Sequence, residues 1–196
     1  MMHPHTRLAW ISDAVGHGVV ATQAIPAGTI VWVPDALDRR ISPAEFATLP
    51  APVQAGVEHF AYLDQDGNRV LAWDLARYVN HACAPTCVSA GYDCNVAAVD
   101  LRPGDQLTDD YGSYLRGTMA CACGSAQCRR TVGTGVLDAH LISAWDARFA
   151  QVFPLIFAVD QPLWSVLPAA ERARLEADRA AGRGPASIAR LFGRDA

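Results

Sequence analysis

The sequence predicts a mainly β body with a C-terminal helical extension, α+β overall, on three observations. Short apolar runs rich in Val, Ile and Trp, bounded by Gly and Pro turns, recur through residue 108. An Asp66-Gly67 pair sits between two apolar runs, a hairpin signal. Beyond residue 135 the period changes: Leu137, Leu141, Trp145 and Phe149 recur every fourth residue and share one helical face. A length of 196 residues suits one domain with a small appendage.

Taken in order, residues 1–41 read as β-rich. Gly16-His17-Gly18 is a glycine turn entering a short strand, Ile25-Pro26-Ala27-Gly28 is a turn, and residues 29–33 form a buried strand. Ser42 caps a helix with Pro43 at its first position and Glu45 placed for a capping box. Pro50 and Pro52 stop it, and residues 53–58 form a second short helix. Residues 60–64 and 69–73 make the hairpin. Asp74 caps a turn or two of helix through Val79. Residues 92–101 form a strand, 102–105 a turn and 106–108 a brief strand. In the tail, residues 171–181 are helical with Gly182 as the cap, and 187–192 form a final short helix.

Composition excludes several function classes. Half the residues are hydrophobic (51%), enough for a sizeable core. No apolar run reaches the roughly 20 residues of a membrane span; Pro154 and Asp160 break the greasiest stretch. The N-terminus lacks the apolar segment of a signal peptide, so a soluble, cytoplasmic protein without membrane contact is expected. A net charge of −4 leaves no global basic footprint for nucleic acid. Lysine is absent: all sixteen basic residues are arginine.

All six cysteines fall between residues 77 and 128. In a reducing compartment such clustering points to metal ligands rather than disulfides. Cys121, Cys123 and Cys128 put three thiols on a tight loop, with Gly124 allowing the reversal. Zinc takes four ligands, and spacing leaves the fourth open among Cys83, Cys87, Cys94 and His81. Gly16-His17-Gly18 alone is a turn whose amides suit a nucleoside or carboxylate. Asn80-His81, at the end of a short helix, is open between structural, catalytic and ligating roles. From Asp109-Asp110-Tyr111-Gly112 alone, Tyr111 reads as a core tyrosine.

Together these segments resemble the SET-domain protein-lysine methyltransferases. Gly16-His17-Gly18-Val19-Val20-Ala21-Thr22 is similar to the family's Gly-x-Gly-Val-Phe-Ala-Thr. Arg77-Tyr78-Val79-Asn80-His81-Ala82-Cys83-Ala84-Pro85-Thr86-Cys87 is similar to Arg-Phe-x-Asn-His-Ser-Cys-x-Pro-Asn-Cys. Gly104 to Gly112 is similar to Gly-Glu-Glu-Leu-Thr-Phe-Asp-Tyr-Gly, and Cys121 to Cys128 to the post-SET Cys-x-Cys-Gly-Ser-x-x-Cys. The four stand in the family's order and near its spacing.

The resemblance implies a SET-type β-clip with a knot-like core over 1–115, a post-SET zinc loop over 116–132 and the helical extension over 133–196. It implies S-adenosylmethionine as methyl donor, bound by Gly16, His17, Gly18, Arg77, Tyr78, Asn80, His81 and Tyr111. Tyr111 becomes the catalytic residue. Cys87 becomes the fourth ligand of a structural Zn2+ with Cys121, Cys123 and Cys128, leaving Cys83 in the core near the cofactor and Cys94 as a buried strand thiol. The sequence departs from the family at several positions. Thr86 replaces Asn, Val20 replaces Phe, Asp105-Gln106 replaces a paired acid and Arg130 replaces Gly. Asp109 stands at an aromatic position two before Tyr111 that helps set how many methyl groups are transferred. Trp145 and Phe149 read as a core stripe rather than a cap on the site.

The expected function is methyl transfer from S-adenosylmethionine to a lysine amine of a basic protein substrate, histone-like proteins included. The alternative is a non-catalytic SET-like module that binds the cofactor or a basic peptide. A zinc-stabilised nucleic-acid binder lacks the basic, aromatic stripe it needs.

Overall fold

The computed structural model describes residues 1–64, 66–115, 117–133 and 139–192. Four small sheets form the body. Strands β1 (Thr6–Ser12) and β2 (Gly16–Ala21) pair antiparallel as a hairpin. β3 (Ile30–Trp32) and β4 (Arg39–Ile41) follow, then α1 (Pro43–Thr48) and α2 (Ala51–Phe60). β5 (Tyr62–Leu63) and β6 (Arg69–Leu71) form the expected hairpin: Asp64 Oδ1 accepts the amides of Asp66 and Asn68, and Gly67 takes the left-handed φ of 80° that the turn requires.

Asp74 caps a 3-10 turn, Leu75–Tyr78, by accepting the Ala76 amide at 2.9 Å. β7 (Asn80–His81), β8 (Cys87–Ala90), β9 (Tyr92–Ala97) and β10 (Gln106–Asp109) complete the larger sheets, ordered β1-β2-β10-β7 and β3-β9-β8. β11 (Met119–Ala120) and β12 (Thr131–Val132) close the cysteine loop.

Local chemistry accounts for most boundaries. Ser42 Oγ accepts the Glu45 amide at 3.1 Å, which starts α1, while the Glu45 carboxylate turns to Arg39 rather than back to the cap. The prolines do more than stop α1. Pro50 is the N-cap of α2 and Pro52 lies in its first turn, where a missing N–H costs nothing, so that helix is longer than expected.

The extension forms α3 (Ala139–Val152), a 3-10 segment (Phe153–Phe157), α4 (Ala169–Ala180) and a 3-10 turn (Ile188–Phe192). Leu137, first of the four-residue stripe, lies outside the described residues. Trp145 and Phe149 are buried on α3 as expected.

Two cores result. Val19, Ala21, Ile25, Val31, Leu101 and Leu107 form one beneath the β1-β2-β10 sheet. In the second, Phe149, Val152, Ile156 and Leu175 of the extension pack on Val88 and Val96 of the β3-β9-β8 sheet. Gln161 pins the two parts together: its amide nitrogen donates to Gly28 O and Ile156 O and its oxygen accepts Ile30 N–H, each at 2.8 Å. No helix among the described residues is long and apolar enough to cross a membrane.

Candidate active site and metal centre

The site is assembled by β10, which pairs antiparallel with β2 on one edge and parallel with the two-residue β7 on the other. Thr108 then lies opposite Asn80 and Asp109 opposite His81. This brings the glycine turn, the Asn-His pair and the Tyr111 segment to one place, although more than 25 residues separate each from the next.

Asn80 Nδ2 donates to His17 O at 3.0 Å. Gly18 lets the Asn80 amide approach closely: a Cβ there would lie 2.7 Å from Asn80 Nδ2 and from the Ile11 side chain, so these side chains would have to shift. Gly16 has φ 73°, and a Cβ on it would meet open space, leaving room for a ligand beside the turn. The exposed His17 ring lies edge-on to Trp10 and, at 6.5 Å, to Tyr78. Arg77 stays exposed, its guanidinium 5.5 Å from the Tyr78 ring centre.

His81 is directed by both ring nitrogens. Nδ1 accepts the Tyr111 amide at 3.1 Å, which in the neutral ring puts the proton on Nε2, facing Cys83 Sγ at 3.3 Å. Burial and the nearby Arg129 cation push its pKa down against the pull of Asp110. Tyr111 therefore has two attachments. Its backbone is held by His81, while its hydroxyl donates to Val79 O at 2.7 Å.

The Tyr111 ring lines a cavity of about 760 Å³ with Tyr62, Tyr114, Asn95 and Asp109. Tyr111 and Tyr114 rings lie 5.3 Å apart and tilted. Burial, with the Asp109 carboxyl nearby, pushes the Tyr111 hydroxyl up to about 12, so it stays protonated at neutral pH. Asp109 is buried, with Oδ2 accepting Asn95 Nδ2 and Oδ1 accepting the Asp110 amide, both at 2.7 Å. Burial raises its pKa to about 6 despite those donors.

A second cluster adjoins His81. The ligand atoms of His81, Cys83, Cys121 and Cys123 all lie within 4.8 Å of one another. Cys83 and Cys121 sulfurs are 3.8 Å apart and Cys121 and Cys128 sulfurs 3.7 Å. A tetrahedral zinc with Zn–S bonds near 2.3 Å needs sulfurs separated by about 3.8 Å, so the donors fit that ion. The Cys83 amide points at Cys123 Sγ and the Arg129 amide at Cys83 Sγ. Burial alone would raise the Cys123 thiol, but amides of Cys83 and Ser125 and the neighbouring thiols bring it below its ordinary value.

This corrects the expectation for Cys87. It is the first residue of β8, paired with Ala97, and its side chain is fully buried with Val19, Val31 and Leu107. Burial and the nearby Asp109 push its thiol up to about 12. Cys83, four residues earlier in the loop between β7 and β8, occupies the place expected of Cys87 beside Cys121 and Cys123. Cys94 is buried in β9 as expected.

Sequence reasoning missed Asp110. Its Oδ1 accepts Gly112 N–H at 2.9 Å and Arg129 Nη2–H, and its Oδ2 accepts the Trp145 indole N–H at 2.9 Å. The available signals were the Asp of the related Asp-Tyr-Gly motif and its place two residues before Gly112, the spacing of a turn cap; its partners 19 and 35 residues away left none.

Comparison with known proteins follows this geometry. Residues 16–112 match the family model of the SET domain. Histone-lysine N-methyltransferase ASHH2 of Arabidopsis thaliana is 33% identical over 107 residues, covering 47% of this chain and 6% of that protein. Probable histone-lysine N-methyltransferase lin-59 of Caenorhabditis elegans is 33% identical over 66 residues, covering 30% of this chain and 5% of that protein. The chain thus spans about a twentieth of the length of these curated relatives. Among solved structures, the methyltransferase domain of human histone-lysine N-methyltransferase SETMAR aligns with a TM-score of 0.46 at 17% identity, over 67% of this chain and 58% of that one.

Proposed function

We propose, from the premise that this chain belongs to the SET-domain family through its residues 16–112, that it transfers a methyl group from S-adenosylmethionine to the side-chain amine of a lysine in a protein substrate. The observation that carries the reading is the double attachment of Tyr111, backbone on His81 and hydroxyl on Val79 O, with its side chain lining the cavity. A residue held in that way stands where a donor held near Gly16 to Gly18, Tyr78, Asn80 and His81 meets an amine entering the cavity. Arg77, at the rim, is assigned to the donor as well.

S-adenosylmethionine, when bound, supplies an electrophilic methyl group on a sulfonium. The chain's residues do the rest. A lysine amine has a pKa near ~10.4 in water and attacks only when neutral. The aromatic wall of Tyr62, Tyr111 and Tyr114 strips water from it, which favours the neutral form. Because the Tyr111 hydroxyl donates its proton to Val79 O, its lone pairs face outward as acceptors. An amine N–H donated to that oxygen turns the nitrogen lone pair toward the methyl group. Alignment of this kind is worth roughly 7–11 kcal/mol in favourable cases.

Cys83, Cys121, Cys123 and Cys128 are proposed to hold a structural Zn2+, with His81 Nε2 facing the cluster. Closed by protein ligands, such an ion offers no open position for chemistry and fastens the loop beside the site. The names of the two relatives support a histone-like protein as substrate.

The test is transfer of labelled methyl to histones and to a cell lysate, wild type beside Tyr111→Phe. Wild type should label lysine, and the variant should retain its circular dichroism while its kcat falls about 100-fold or more. Undiminished transfer by a folded Tyr111→Phe protein would sink the assignment. Lysine-type labelling of the chain itself would contradict the reading outright, since it contains no lysine.

A further inference from the structure

The proposed reaction assigns no role to residues 139–192, yet the indole of Trp145 on α3 reaches the turn that carries Tyr111. The connection runs through Asp110, which is 4% exposed. Its carboxylate is the N-cap of the 3-10 turn Tyr111–Ser113, accepting the Gly112 amide. It also takes one N–H from α3 (Trp145) and one from the cysteine loop (Arg129). Ring atoms of Trp145 stand 3.2–3.3 Å from where a Gly112 Cβ would be, so the indole also closes the turn sterically. A buried indole could give its N–H to any backbone carbonyl. Here it goes to the carboxylate that caps the turn carrying the proposed catalytic tyrosine.

We infer that Trp145 is a positioning residue for Tyr111, acting through Asp110, and that the C-terminal extension is thereby part of the catalytic unit rather than an appendage. Three donors compensate the buried Asp110 charge. Removing the Trp145 N–H leaves Oδ2 under-satisfied, and the carboxylate turns that oxygen toward water, out of the plane in which Oδ1 caps Gly112. Its hold on Gly112 N–H loosens, and Tyr111, one residue away, loses its fixed direction. Misplacement of a reacting group by about 1 Å costs on the order of 100-fold in rate, so a partial loss of order should be visible in kcat. Substrate contacts remain intact, so KM should not follow.

The inference rests on the proposed function only for its kinetic limb, and the experiment separates the two. Trp145→Phe in the full chain keeps most of the buried ring and removes the donor. Expected are a kcat about 10-fold lower with KM for a lysine peptide within about twofold, and amide exchange in residues 110–115 about 10-fold faster. Exchange in the β8–β9 hairpin should be unchanged. A purely structural Trp145 would instead lower the melting temperature and speed exchange throughout, with kcat intact once folded.

Unchanged exchange at 110–115, or an unchanged kcat in an active enzyme, overturns the positioning role. If the wild type transfers no methyl group, the proposed function falls, and exchange at 110–115 still decides whether α3 orders the turn. Should Trp145→Phe fail to fold, Arg129→Met removes another donor to the same carboxylate and is read identically: faster exchange at 110–115 supports the hub, and none overturns it.

Discussion

A carboxyl group buried at the end of a strand favours its neutral form, and Asp109 carries a measurable consequence. Its folded pKa of about 6 exceeds the unfolded value near 3.9. The folded state therefore binds the extra proton between pH 4 and pH 6. Stability from this group is fully present below about pH 4 and is lost as pH rises through 6. Asp109→Asn should be more stable than wild type at pH 7 by at most about 3 kcal/mol, with the difference vanishing near pH 4. Urea midpoints at pH 4, 5.5 and 7 measure it; a difference independent of pH would show that Asp109 does not titrate as described. The sequence marked this residue as a departure, but its burial and its bond to Asn95 required the fold. Arg130 is a parallel case. It stands where the related motif has Gly, and its φ of 65° is the left-handed conformation in which Gly has no Cβ penalty.

Among elements, β7 shows what short-range patterns miss. A two-residue parallel strand has no periodicity to read, and it exists because β10 offers a free edge beside it. The same scale separates Cys83 from Cys87. In a strand, successive side chains alternate between faces, and β8 begins at Cys87, whose thiol is committed to the core. Cys83, still in the loop, turns toward Cys121. Cys83→Ser should therefore lose most of about one zinc per chain and order in the 121–128 loop. Cys87→Ser should retain the metal while losing core stability. Zinc content by plasma mass spectrometry, with melting temperature before and after chelation, distinguishes them. Metal loss only in the Cys87 variant would return the fourth position to Cys87. The tight loop and its three thiols were legible because they are local in sequence, whereas the fourth partner lies 38 residues from Cys121 and was set by folding.

For the whole molecule, the helical extension and the sheet share one core. Phe149, Val152, Ile156, Leu163, Leu167 and Leu175 are all buried in the cluster built on the β3-β9-β8 sheet. Burying each such side chain stabilises by roughly 1.5–3 kcal/mol, so the six together are worth on the order of 10 kcal/mol. That matches the total stability of a typical domain, about 5–15 kcal/mol. Tyr92 adds a polar tie, donating to Asp178 at 2.7 Å and accepting the Ala186 amide at 3.1 Å. A chain ending at residue 133 should be insoluble or a molten state, read by loss of near-ultraviolet dichroism and binding of an apolar dye. A soluble, cooperatively melting truncation would show that the body folds without the extension.

Whatever depends on neighbours in sequence was determined by the sequence alone: the Ser42 cap, the Asp66-Gly67 hairpin, the buried Trp145 and Phe149 on one face of α3, the three-thiol loop and the four motifs in order. Tertiary structure alone decided which thiol joins the cluster, that Asp109 is buried, and that Asp110 gathers donors from Arg129 and Trp145. The physical reason is range. Turns, caps and periodicity follow from bonds between residues one to four apart. The partners of a buried charge or a thiol cluster are set by chain segments 19 to 38 residues away, which meet only when the sheets close.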